Sequence, residues 1–363
     1  MKKKLFLINT HFQLITSLQI IDKENLDYVD FIITNNLNQY DEIAKRLNEL
    51  KFVNAVYVAD TKDFTIPKNN FQRLKSMKDV LIGSKSVSKF LNNFNGMDYD
   101  CFYFHNLDFF TYILYDFVKR KSSNITANRF EEGFSIYLSF VCRKKSENLC
   151  DNIAKLFNRF SVKKDIENVL LYHPEFLTYD LKYDIKKIPL LSKEDIKFKE
   201  LINYVFGYNS EQLSGTEAII FEECFYADSG FMDDVPLFCK IAEIIGFQNV
   251  SIKLHPRNKK DRFSELGVKV MKNSSIPWEV IQMNNDFRDK VFITITSGSV
   301  LASMLYFGEN IKTVFLYKLL DKNFSLKEHY EEYLMKLVNA SNSQVYIPEN
   351  INELRKIIGE HNE

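Results

Sequence analysis

Lys253 and His255 stand two residues apart, just ahead of Pro256 and Arg257. They close an apolar run over residues 249–254 that reads as a buried strand. Alternation on the pleat puts both side chains on one face. Pro256 has no N–H and biases His255 away from helical angles, so the strand must stop there. In open α/β sheets, ligands bind beyond the carboxyl ends of strands. A lysine and an imidazole at such an end suit an anionic leaving group, above all a phosphate. The plainer alternative is a strand-ending turn with a solvated basic rim.

Three further stretches could join that chemistry. Ser297-Gly298-Ser299 lies between a strand pattern and a helix pattern, where helix-start N–H groups and two hydroxyls could hold an anion, or where Ser297 could simply cap the helix. Pro277-Trp278-Glu279 opens another helix. Glu279 could accept from ribose hydroxyls or only complement the helix dipole. Glu131-Glu132-Gly133 closes a short strand. Two neighbouring carboxylates raise each other's pKa, as a general base near neutral pH requires, and Gly133 lets the turn approach a ligand. A solvated acidic turn is again the simple alternative. Asp98-Tyr99-Asp100 has the D-x-D form of metal-dependent sugar transferases but precedes its strand, so we read it as a turn and expect no metal. Neither G-x-G-x-x-G nor G-x-x-x-x-G-K occurs, which argues against dinucleotide dehydrogenases and P-loop enzymes.

The elements that must position these residues alternate along the chain. Strand patterns over 5–8, 29–34, 55–59 and 101–104 are separated by helix patterns, which implies parallel pairing with right-handed crossovers. A helical insertion is expected over 137–162, and a strand over 168–172 ends in a second His-Pro pair, His173-Pro174. Residues 180–208 read as a connector. A second alternating series follows, with strands over 218–221, 249–254, 291–296 and 313–317. We therefore expect two doubly wound Rossmann-like α/β domains facing a cleft, residues 1–208 and 209–363.

Bulk properties narrow the classes. The 363 residues are too many for one typical domain, and 45% hydrophobic with 26% charged residues is an ordinary globular composition. Lys+Arg and Asp+Glu balance at 48 each, so no global basic field points to nucleic acid. Lys2-Lys3-Lys4 runs into an apolar stretch too short for a signal peptide, and no stretch suits a bilayer span. Five scattered cysteines form neither a C-x-x-C pair nor a disulfide framework, so we expect a reduced, cytoplasmic protein.

In order, Glu131-Glu132-Gly133, Lys253-Leu254-His255-Pro256 and Ser297-Gly298-Ser299 resemble the acidic-acidic-Gly, His-Pro and Ser-Ser/Thr motifs of bacterial sialyltransferases. The opening Asn9-Thr10-His11-Phe12-Gln13-Leu14 resembles the Asn-Thr-Pro-Phe-Gln-Leu start of family 52 glycosyltransferases, which include lipooligosaccharide and capsule sialyltransferases. Pro277-x-Glu279 resembles that family too. His11 replaces the proline, Gly298 separates the serines, and Glu132 stands where Asp is common.

The resemblance implies a GT-B enzyme that transfers sialic acid from CMP-sialic acid with inversion and without a metal or other cofactor. Its partners would be that donor and a surface-glycan acceptor, without nucleic acid; it leaves room for peripheral contact with the cytoplasmic face of the inner membrane and for a homodimer. Glu132 is the favoured base, because it abuts Gly133 and sits furthest out on the turn, with Glu131 orienting the loop or raising the pKa of Glu132. His255 would serve catalysis, with Lys253, Pro256, Glu279, Ser297, Gly298 and Ser299 on the donor. Thr10, Gln13 and His105 would meet the acceptor. Two rivals share the fold: a GT-B enzyme using another nucleotide sugar, and a non-catalytic surface-glycan assembly or binding protein.

Overall fold

A computed structural model describes residues 3–65, 70–138, 144–210, 213, 215–224, 233–258, 260–272, 275–320, 326, 328–339 and 344–359. The chain divides into two compact units, Met1–Pro189 and Leu190–Glu363.

In the first unit the strands are β1 (Lys3–Ile8), β2 (Val29–Thr34), β3 (Val53–Ala59), β4 (Tyr99–Phe104), β5 (Thr126–Phe130), β6 (Ile166–Leu171) and β7 (Asp184–Lys187). Among the described residues they form one sheet of order β3-β2-β1-β4-β5-β6-β7, parallel throughout. Helices α1 (His11–Glu24), α2 (Tyr40–Asn48), α3 (Lys62–Thr65), α4 (Asn70–Ile82), α5 (Phe109–Lys121) and α6 (Lys144–Leu156) lie in the crossovers. Leu5 to Ile8 and all of β2 are buried, because a parallel strand with helices on both sides has no solvent face. That is why these strands read as unbroken apolar runs.

The second unit repeats the plan. Strands β8 (Ala218–Phe221), β9 (Val250–Lys253), β10 (Lys269–Val270), β11 (Val291–Thr294), β12 (Lys312–Phe315) and β13 (Val345–Tyr346) take the order β10-β9-β8-β11-β12-β13, also parallel. The described helices are α7 (Ile196–Phe206), α8 (Val235–Ile245), α9 (Trp278–Asn284), α10 (Ala302–Phe307), α11 (Glu328–Val338) and α12 (Ile351–Ile358). Counted from its own first strand, the second sheet runs 3-2-1-4-5-6, the dinucleotide-fold order, and the first runs the same with a seventh strand added at the edge; in both the switch point lies beside the first strand.

The differences from the sequence reading are local. The division falls at Pro189, so α7, read as part of a connector, belongs to the second unit, where Phe198, Ile202, Val205 and Phe206 are buried. Within that connector β7 adds an edge strand whose four residues are all exposed, so it carries no apolar alternation to detect. The helix expected from Val300 starts as a short 3-10 turn, Gly298–Leu301, before the six residues of α10. Residues 139–143 of the expected insertion lie outside the described residues.

Candidate functional site

In the first unit, β1, β4, β5 and β6 deliver polar residues to one sheet edge, their carboxyl ends. His105 follows β4 and is 2% exposed; its Nδ1 lies 2.8 Å from the Phe130 carbonyl. A carbonyl can only accept, so Nδ1 carries a proton. The other ring nitrogen, Nε2, lies 3.2 Å from Oε2 of Glu132. If the ring is neutral, that Nε2 lone pair faces a carboxylate lone pair. One proton between them removes the conflict, whichever atom holds it. Glu132 Oε2 and His105 Nε2 are therefore close enough to share one proton.

Glu131 has a different task. It is fully buried, and its Oε2 accepts from the Tyr172 backbone N–H at 2.7 Å and from the Tyr137 hydroxyl. The same hydroxyl accepts from the His173 N–H at 3.0 Å. Glu131 thus fastens the end of β5 to the end of β6 and to the turn over 134–137. Gly133 makes the exit: its φ of 61° with ψ of −180° is a region that glycine occupies almost alone, so a side chain here would strain the turn that presents Glu132. Arg129 braces the neighbouring strand end through Nε to the His105 carbonyl at 2.9 Å.

Thr10 and Gln13 shape the β1–α1 turn. Thr10 caps α1 by accepting from the Gln13 N–H at 3.3 Å, and Gln13 returns its Oε1 to the Asn9 N–H at 2.6 Å. Gln13, expected to meet an acceptor, is fully buried, with its Oε1 taken by the Asn9 amide. Thr10 keeps partial exposure.

The second unit places its residues around β8, β9 and β11. The His255 N–H donates to Glu222 Oε2 at 2.9 Å, and His255 Nδ1 accepts from the Arg257 N–H at 3.2 Å. In the neutral ring this assigns the proton to Nε2, a donor suited to a phosphate oxygen. Lys253 is 7% exposed, and its Nζ donates to the Ile276 carbonyl at 3.1 Å. It is a buried cation under the start of α9 rather than an open clamp. Burial pushes the Glu279 carboxyl up, while the charge of Lys253 acts the other way. Trp278, next to Glu279 in the chain, is core, edge-on to Phe221 and Phe292. Pro256 is exposed beside His255.

Glu223 organises the serine turn. Its Oε1 accepts from the Thr296 N–H at 2.6 Å, the Ser297 N–H at 2.8 Å and the Thr294 hydroxyl at 2.8 Å. Burial raises its pKa, and these donors oppose the rise. Glu223 thus takes the amides just ahead of the turn, which leaves the helix-start amides from Gly298 onward outside its reach. Ser297 accepts from the Ser299 N–H at 3.4 Å, and the exposed Ser299 and half-buried Ser297 and Gly298 offer hydroxyls and close backbone. Glu222 also accepts from Arg262 at 2.7 Å, and Arg262 reaches Asp234 at 2.6 Å. Burial alone would lower the guanidinium's pKa; its bonds to Glu222 and Asp234 hold it above the usual value.

The sequence matches the model of the alpha-2,8-polysialyltransferase family over residues 4–318. The chain belongs to that family. It is accordingly a glycosyltransferase of the sialyltransferase kind. No curated protein matches it. Among solved structures it is similar to LpCGTa in complex with UDP, with 9% identity, 99% of this chain and 89% of that chain covered, and a TM-score of 0.51. It is also similar to a UDP-GlcNAc 2-epimerase from Neisseria meningitidis bound to UDP-GlcNAc (12% identity, 98% and 89% covered, TM-score 0.47). A third likeness is to ADP-heptose LPS heptosyltransferase II of E. coli (10% identity, 98% of each chain, TM-score 0.39). The fold is of the GT-B, two-Rossmann type.

Glu222, Glu223 and Arg262 carry no motif named above, although Phe221-Glu222-Glu223 repeats the Phe130-Glu131-Glu132 pattern at another strand end. That repeat was the available signal. Asp98 is exposed and Asp100 lies within β4, at the amino edge away from the polar residues above. Among the described residues, no group of three or more His, Cys, Asp or Glu could hold a metal ion. No described helix is long and apolar enough to cross a membrane.

Proposed function

We propose that this protein is an inverting sialyltransferase that moves sialic acid from CMP-sialic acid to a hydroxyl of a surface glycan. The family's name specifies an alpha-2,8 link between sialic acids, so we favour a capsule-type glycan ending in sialic acid over a lipooligosaccharide. The observation that carries the reading is the Glu132–His105 pair at 3.2 Å, anchored through Nδ1 to a backbone carbonyl. In the transfer the acceptor oxygen bonds to the anomeric carbon as the bond from that carbon to the phosphate oxygen breaks. The bonding pair leaves with CMP. The acceptor's proton passes to the Glu132 carboxylate, which can then donate to the His105 Nε2 lone pair, so the protonated form finds a ready partner.

The chemistry divides between the units in this reading. The first supplies the base and the acceptor side, the second the nucleotide. His255 Nε2–H and the Ser297 and Ser299 hydroxyls would meet the phosphate, Gly298 and Pro256 would shape its surroundings, and Lys253 would add positive potential from below. Glu279 would take the ribose. The anionic leaving group would be met by donors of this chain, with no resident cofactor.

The test couples binding to turnover. CMP should raise the melting temperature, because a ligand specific for the folded state must do so. Transfer from CMP-sialic acid to a sialylated acceptor should be measurable and survive EDTA. Equal or larger stabilisation by UDP would reject the donor assignment, and strict dependence on Mg²⁺ or Mn²⁺ would reject the metal-free step.

A further inference from the structure

Asn258 closes the turn that follows β9 and His255. Its backbone N–H donates to the His255 carbonyl at 2.9 Å. Its side-chain Nδ2 donates to the Glu223 carbonyl at 2.9 Å. A carbonyl can only accept, so that contact fixes which end of the carboxamide is nitrogen. The other end, Oδ1, is buried and has no hydrogen-bond partner among the described residues. The residue as a whole is 9% exposed. A buried amide oxygen without a donor is rare and works against folding.

Its place matters as much as its state. Asn258 ties the loop after β9 to the loop after β8, at the carboxyl edge next to the switch point, where a doubly wound sheet takes its ligand. His255 lies on one side of it. On the other is Glu223, whose carboxylate holds the Thr296 and Ser297 amides. Other buried polar atoms of the second unit that lack a partner stand elsewhere: Trp278 Nε1 and Gln282 Oε1 within α9, Ser303 Oγ within α10, and Asp234 Oδ2 in the Arg262 cluster.

An orphan acceptor selects a ligand by its donors. The amide nitrogen is committed to Glu223, so Asn258 cannot turn its N–H groups to a ligand carbonyl without giving up that bond. Cytosine carries an exocyclic amino group, N4, with two N–H donors. Uracil has a carbonyl oxygen at that position, which would set lone pair against lone pair. We propose that Asn258 reads the base of the nucleotide donor, its Oδ1 accepting from the exocyclic amino group of cytosine. The proposal rests on the CMP reading above and adds the side chain that tells cytosine from uracil. A hydroxyl of the transferred sugar fits less well, because it can donate or accept and does not require an acceptor of fixed orientation.

The test is calorimetric titration of the full-length chain with CMP, UMP and the CMP analogue that lacks the 4-amino group. The three share ribose and phosphate and differ at the base. The wild-type chain should bind CMP roughly 10- to 100-fold more tightly than either of the others, the scale of one buried polar group left unpaired. Asn258→Ala should bind all three alike, with CMP reduced to the affinity of the wild-type chain for the analogue. The analogue needs no variant, so it decides the matter even where Asn258→Ala does not fold. Equal binding of CMP and the analogue by the wild-type chain, or a CMP preference that survives Asn258→Ala, would overturn the proposal. So would a loss shared equally by CMP and UMP, which makes Asn258 only a brace between the two loops. A raised KM for CMP-sialic acid with the CMP preference kept would give Oδ1 to the sugar and overturn it too. Each of these leaves the CMP donor reading standing, whereas absence of any CMP binding would reject that reading and this one with it.

Discussion

The dipeptide Glu-Glu follows Phe130 in one sheet and Phe221 in the other, each time at the carboxyl end of a buried parallel strand. The four carboxylates nonetheless have distinct fates. Glu222 is held by Arg262 and the His255 amide, and Glu223 by two backbone amides and two threonine hydroxyls. Both are under 5% exposed. Glu131 is likewise sealed in, accepting from Tyr137 and Tyr172. Glu132 alone of the four keeps appreciable side-chain exposure, 21%, and faces an imidazole. A carboxylate surrounded by donors is a strut. One that faces an imidazole at the solvent boundary is the group to which the proposed function gives the acceptor's proton.

That contrast can be broken in order of expected effect. Glu132→Gln keeps the shape and removes the basicity, so turnover should fall by about 10²–10⁴-fold, with CMP affinity and melting temperature unchanged, as befits a lost transition-state interaction. Near-normal turnover would dissolve the distinction between strut and base. His255→Ala removes the proposed phosphate donor and should cost about 10²–10³-fold in turnover. His173→Ala should leave most activity, since its imidazole Nδ1 pairs with Glu175 at 2.8 Å; the reverse ranking would move the leaving-group site to the first unit.

The struts should report on stability instead. Glu222→Ala strands part of the buried Arg262 charge and should lower unfolding free energy by about 3 kcal/mol, read from denaturant midpoints. Glu223→Ala leaves two amides without their acceptor and should cost about 2 kcal/mol, while weakening CMP binding through the loosened serine turn. Glu131→Gln should be mildest, about 1 kcal/mol, because an amide oxygen can still accept from Tyr137 and Tyr172. If Glu131→Gln is inactive yet stable, its role and that of Glu132 are exchanged.

Much of this was legible in the chain. Parallel strands buried on both faces leave continuous apolar runs, so β1, β2 and β8 could be read directly, and Pro256 had to end the strand before it. Edge strand β7 could not be found, since four exposed residues carry no pattern of burial. The motif residues were likewise visible by type, but not their partners: Gln13 accepts from the Asn9 amide and Lys253 donates to the Ile276 carbonyl, which no local pattern announces.

By itself, the order of residues determined two parallel α/β sheets, the strand ends that carry Glu131, Glu132, Lys253 and His255, and the glycine needed after the acidic pair. Those follow from local rules: side-chain periodicity, the missing N–H of proline and the positive φ open to glycine. Tertiary structure alone decided which carboxylate faces an imidazole and which are enclosed by donors. That depends on partners 27 residues from Glu132 in the chain at His105, and 71 to 74 residues from Glu223 at Thr294, Thr296 and Ser297. Proton affinity is set by the donors within hydrogen-bond reach, and sequence-distant donors come into reach only when the strands are laid side by side.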